Sequence, residues 1–161
     1  MKPTASLLSS GFDFSMAWRA GIILSLLAVP TSSFAGAASD AVQPFYAQPG
    51  LELEASARER FTDPALNVLN QNDAIKKSGE EGCLDPALAF DDTDYDLAEV
   101  TSTLSLAESI NGDDATVVAT FKVLKEPHRM QWKLKMIGGG WKIADLVSMN
   151  GDWALSQFNC E

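Results

Sequence analysis

The sequence predicts an α+β domain in which N-terminal helices pack against an antiparallel meander sheet. Three observations carry this reading. Helix start and stop signals crowd residues 39–79, the apolar pattern changes to period two from Val100 onward, and turn signals separate the alternating runs. Consecutive strands joined by short turns pair as antiparallel neighbours, with one face on the helices and the other in water.

At the N-terminus, Gly21 to Pro30 reads GIILSLLAVP, an apolar run too short to span a bilayer. Arg19 precedes it and the small residues TSSFAGA follow, which is the charge, apolar core and cleavage-site order of a secretory signal peptide. Cleavage after Ala35 and after Ala37 both satisfy the small-residue rule, and starts at Met1 and at Met16 both remain open, Met16 giving the more compact signal. No cysteine follows the apolar run, so a lipoprotein anchor is excluded and no stable membrane anchor is expected after cleavage. The expected organisation is a signal peptide over 1–35 and a single domain over 36–161, periplasmic or secreted.

The full chain of 161 residues carries a net charge of −10. Removing residues 1–35 takes away Lys2, Arg19 and Asp13 and leaves 10 basic and 21 acidic side chains, a net of −11. A polyanion such as nucleic acid is repelled by such a chain, so no nucleic-acid partner is expected. In an oxidising compartment Cys83 and Cys160, the only cysteines, have one pairing open to them within a monomer. A zinc site from these two and His128 lacks any ligand spacing.

The remaining elements follow in order. Ser39-Asp40 reads as an N-cap before AVQPFYAQ, and Pro49-Gly50 stops that helix. LELEASARERF suits a second, weakly amphipathic helix. In TDPALNVLNQNDAIKK, Thr62 or Asp63 caps, Pro64 suits the first turn and Lys76-Lys77 favour the C-terminal dipole. VTSTLSLAESI then reads as a strand, NGDD as a turn and ATVVATFKVLK as the next strand. EPH is read as a turn, RMQWKLKM as a strand with Met130, Trp132, Leu134 and Met136 on one face, and IGGG as a turn. WKIADLV is the last strand, with Trp141, Ile143 and Val147 inward, and GDWALSQF closes on a helical turn.

Helices followed by a meander ending in Gly-x-Trp-Lys-Ile-x-Asp, with most of the likeness in MQWKLKMIGGGWKIADLV, resembles the nuclear transport factor 2-like superfamily. The acidic CLDPALAFDDTDYD, the signal peptide and the size are similar to its secreted bacterial members grouped as domain of unknown function 3828. The resemblance spans Ser39 to Phe158. It implies a cone, a bent sheet wrapped around the helices with a pocket inside. Enzymatic members, as isomerases, dehydratases and cyclases, place Asp, His, Tyr or Arg in that pocket, and many other members bind without chemistry. Dimers are common in the superfamily, so a homodimer is open to this chain. The secreted members bring no function with them.

Candidate sites are few. Asp92, Asp94 and Asp96 match the first three ligand positions of a calcium loop, but Leu97 stands where glycine is needed and Thr103 where the bidentate glutamate belongs. A solvated turn is the expected reading, and no metal is expected. Charge is segregated: residues 78–121 hold eleven acids and no base, while Lys122 to Lys142 holds six bases and one acid, Glu126. Strand parity places Lys122, Arg129, Lys133 and Lys135 on the face opposite the apolar residues, joined by Lys142 in a basic stripe. Asp145 shares parity with Trp141, Ile143 and Val147, which makes it the one candidate for an inward general base. His128 falls in a turn, Tyr46 and Tyr95 have no placed partner, and no Ser-His-Asp set can be built. Phe121, Trp132, Met136 and Trp141 are core or the wall of an apolar pocket.

The expected function is a periplasmic, non-enzymatic binding module without cofactor, taking a small apolar ligand in the cone or an acidic exported protein on the basic face. The alternative is a small cofactor-free dehydratase- or isomerase-like enzyme with Asp145 as base.

Overall fold

Apolar side chains at helical spacing in the first half and at period two in the second must both find cover, and they cover each other. A computed structural model of the chain describes residues 37–160, so the expected signal peptide lies outside the described residues. Helix α1 (Ala37–Ala47) turns Ala38, Val42, Phe45 and Tyr46 inward, the spacing of a single helical face. Near its start Ser39 donates from N and Oγ to the Glu108 carboxylate, both at 2.9 Å, which sets negative charge where the helix dipole favours it. Gly50, at φ 77°, follows in the left-handed conformation that glycine adopts without steric cost.

The expected second helix is instead two 3₁₀ stretches, Leu51–Leu53 and Ala55–Arg60. Arg58 holds them together, donating to the carbonyls of Glu52, Leu53 and Glu54 and pairing with Asp73 at 2.8 Å. Helix α2 (Ala65–Ser78) buries Ala65, Val68, Leu69 and Asn72 and ends at Gly79, with Lys76 and Lys77 in its last turn. Neither Thr62 nor Asp63 caps it. Phe61 lies beside Ile143 in a parallel bridge and Thr62 N donates to the Ile143 carbonyl at 2.8 Å, so this segment is extended along the sheet.

The expected strand from Val100 is also corrected. Leu97–Thr103 is a helix, α3, capped by Asp96, whose carboxylate accepts from Ala98 N at 2.8 Å. Its β-branched residues suggest a strand, yet Val100 is fully buried and the hydroxyls of Thr101 and Thr103 donate back to Leu97 and Glu99 carbonyls.

Four strands follow: β1 (Ser105–Asn111), β2 (Asp114–Val123), β3 (Glu126–Ile137) and β4 (Gly140–Ser148). They form one curved antiparallel sheet in chain order, β1-β2-β3-β4. The fold is therefore α+β, helices first and meander second. The turn between β2 and β3 is Leu124-Lys125, both at positive φ (51° and 73°), not EPH. Pro127 and His128 belong to β3.

A β-bulge decides the fate of the last strand. Lys133 faces Asp145 and Leu134 faces Ile143, so Ala144 is the extra residue and parity inverts across it. Ile143 and Leu146 point inward, while Asp145 and Val147 fall on the side of Lys133 and Gln131. The inner face of the sheet (Val117, Ala119, Phe121, Met130, Trp132, Leu134, Ile143 and Leu146) closes on α1, α2 and Phe90 as one core. Cys83 and Cys160 form a disulfide, Cα to Cα 5.6 Å, joining the segment after α2 to the C-terminal end. Among the described residues no helix is long and apolar enough to cross a membrane.

Candidate functional site

The outer face of the sheet gathers the predicted bases. Lys122, Arg129, Lys133 and Lys135 are exposed and Lys142 is half-buried. Lys135 stands directly opposite Lys142 on one side and Asp114 on the other, and Lys133 opposite Thr116 and Asp145. Like charges directly opposite destabilise a sheet, so the Lys135–Lys142 pairing itself adds nothing to the fold. Lys142 Nζ is held by the Glu59 carbonyl, and Lys133 Nζ lies 3.2 Å from Asp145. Between the bases runs a less polar row, Ala107, Val118, Gln131 and Val147, each opposite the next. A hollow of 340 Å³ touches Lys133, Lys135 and Thr116, and another of 260 Å³ touches Lys122, His128 and Arg129.

Asp145 is not an inward acid. The bulge moves it out of the parity of Ile143, and its oxygens accept from Leu146 N, Ser156 N and Ser156 Oγ, all at 3.0 Å. With Lys133 beside it, this buried carboxylate is a clasp for the C-terminal turn, not a free general base. The cone interior holds no pocket wall at Phe121 or Trp132. Phe45, Tyr46, Phe90, Phe121 and Trp132 fill it, none more than 2% exposed. Met136 and Trp141 form a half-buried cross-strand pair at the far end of the sheet.

His128 is likewise not an exposed turn residue. Its register partner is the buried Phe121, on which it stacks at 5.8 Å, and its Nδ1 lies 3.6 Å from Asp91 Oδ2. Asp91 was not singled out in the sequence, yet its side chain is only 6% exposed. It accepts from Trp153 Nε1 at 2.8 Å and from Ser148 Oγ at 2.7 Å. Its φ of 57° is a conformation that Asp tolerates better than most residues. The others serve local backbone: Asp92 accepts from Asp94 N and Asp96 from Ala98 N. Among the described residues no group of three His, Cys, Asp or Glu side chains is placed to hold a metal ion. Tyr46 gains a partner the sequence could not place, accepting from Trp132 Nε1 at 3.0 Å, and Tyr95 packs edge-on against Phe90.

Glu52 is a second buried acid that sequence reasoning missed, since LELE reads as an ordinary amphipathic alternation. It is fully buried, with Oε1 accepting from Ala89 N at 3.3 Å and Oε2 unpartnered. Burial pushes its carboxyl above the ordinary 4.5, opposed by hydrogen bonds from nearby backbone amides. An acid raised in the folded state contributes stability that is fully present below its unfolded value and is lost as pH rises through the folded value. Unfolding midpoints in urea should therefore fall from pH 4.5 upward, and Glu52→Gln should flatten that slope. A slope unchanged in Glu52→Gln would assign the pH dependence to another group.

No family model and no curated protein matches the chain. Among solved structures it is similar to a chain from the crystal structure of the type VI native effector-immunity complex Tae3-Tai3 from Ralstonia pickettii, at 16% identity and a TM-score of 0.47. The match covers 75% of this chain and 96% of that one. Similarity at that level carries no argument about this chain's activity.

Proposed function

We propose that the protein is an exported, non-enzymatic binding module that docks an acidic exported protein on the outer face of its sheet, in the periplasm or outside the cell. The observation that supports it most is the register, which brings Lys122, Arg129, Lys133, Lys135 and Lys142 of an acidic chain onto one face against two acids, Asp114 and Asp145. The less polar row through Val118 and Val147 supplies the middle of such a surface, and bases supply its rim. The hollow lined by Lys122, His128 and Arg129 suits a carboxylate side chain of the partner, while the other holds Asp114 and Asp145 beside its lysines. The nuclear transport factor 2-like resemblance belongs to the same reading, supported by the order of helices and meander, with a filled interior and function moved to the outer face.

Poly-L-glutamate is the probe. The protein is expected to bind it at low salt and to release it as salt rises. Arg129→Glu with Lys135→Glu should weaken binding by about tenfold or more. Lys76→Glu with Lys77→Glu, the same change of charge on α2, should leave most of it. Equal loss in both variants would show that net charge alone is responsible and would sink the proposal.

A further inference from the structure

We propose that the groove between the segment following Cys83 and the segment preceding Cys160 is a binding site for a small organic cation, an ammonium or amidinium carried on an apolar body. The groove encloses 410 Å³, within the range of about 300–1,000 Å³ typical of small-molecule sites. One wall is aromatic: Trp153 and Phe158 meet edge-to-face, 5.8 Å between centroids, beside the apolar surface of Pro86 and Leu88. Asp85, Asp91 and Asp92 also line it, and among the described residues no lysine or arginine does.

The walls are built, not incidental. The indole of Trp153 is fixed by its 2.8 Å hydrogen bond to Asp91, a carboxylate also held by Ser148. The disulfide staples the two sides, since Cys83 leads into the Asp85–Leu88 wall and Cys160 follows Phe158. A site fixed before its ligand arrives loses less ordering entropy on binding.

The lining selects the class of ligand. An anion meets three carboxylates, and a purely apolar molecule strips them of water without replacing it. A cation with an apolar body satisfies both halves, its charge toward Asp85 and Asp92 and its body against Trp153 and Phe158. The groove has the opposite charge from the basic face and its lining lies on other elements, the two meeting where His128 lies 3.6 Å from Asp91.

The test is a titration of the purified, disulfide-bonded chain with 2-phenylethylammonium, followed by the ¹H–¹⁵N resonances of the tryptophan indoles and backbone amides. The indole of Trp153 and the amides of Asp92 and Thr93 should shift and saturate while the indoles of Trp132 and Trp141 stay put. The neutral isostere 2-phenylethanol should bind about tenfold more weakly or worse. Asp85→Asn with Asp92→Asn should cost a similar factor of about ten and leave the fold intact, since an asparagine at 92 can still accept the Asp94 amide. The proposal is overturned by equal response to ammonium and alcohol, by unchanged affinity in the double variant, or by shifts spread evenly over the acidic surface. No saturation by about 10 mM, weaker than a millimolar site allows, overturns it equally.

Discussion

Replacing both Cys83 and Cys160 by serine is expected to lower the free energy of unfolding by about 4 kcal/mol. The bridge spans a sequence separation of 77, and the entropy it removes from the unfolded chain grows with the logarithm of that span. In the folded state the C-terminal segment has other holds: Ala154 bridges Val147, Ser148 N donates to the Trp153 carbonyl, and Ser156 is clasped by Asp145. The variant should therefore fold to the same structure and lose stability chiefly through its unfolded state. Urea unfolding of the oxidised protein, the thiol-reduced protein and the double-serine variant measures this, with the last two expected to agree. The melting temperature should drop by roughly 10 °C or more. A loss below about 1 kcal/mol would mean that the unfolded chain keeps these ends together without the bridge.

The strands of this protein were legible where the pleat is regular. In β2 and β3 the alternation of Val117, Ala119, Phe121, Met130, Trp132 and Leu134 with Thr and Lys matches the observed burial residue for residue. Legibility stopped where the backbone departs from a pleat without glycine or proline to announce it. Leu124-Lys125 turns the chain at positive φ with neither glycine nor asparagine, so Pro127 drew the start of the expected turn two residues too far and took His128 out of the strand. The bulge at Ala144 leaves no trace in composition, yet it inverts every side chain after Ile143 and removes Asp145 from the inner face. The basic stripe was readable because it lies in β2, β3 and the start of β4, before that inversion. The groove was not. Asp91, Trp153 and Phe158 are brought together by tertiary contacts across more than sixty residues of sequence, and no local pattern predicts such a meeting.

Trp132→Ala should destabilise the protein by about 3–5 kcal/mol, the range for removing a large aromatic from a packed core. Trp132 is fully buried, 4.9 Å from the ring of Phe45 and 6.1 Å from that of Tyr46. Its Nε1 donates to Tyr46 Oη, and burial raises the Tyr46 phenol far above its ordinary value, so the hydroxyl stays neutral and remains a partner. Tyr46→Phe strands that indole N–H and should cost about 1–3 kcal/mol. The double variant should cost less than the two losses added together, because each single change already breaks the shared bond. The cavity left by Trp132→Ala lies beside Phe45 and Tyr46, with Val117 and Leu146 as strand neighbours, a mostly apolar surround of the kind that accepts small aromatic guests. Indole added to that variant should therefore raise its melting temperature, while indole added to the unaltered protein should leave it unchanged. The second half of this experiment discriminates between the two places a ligand was expected. Stabilisation of the unaltered protein by indole, with the Trp132 resonance shifting, would restore the apolar pocket inside the cone. Its absence, alongside rescue of Trp132→Ala, would show that the native side chain of Trp132 is itself what fills that space and that recognition belongs on the outside of the molecule.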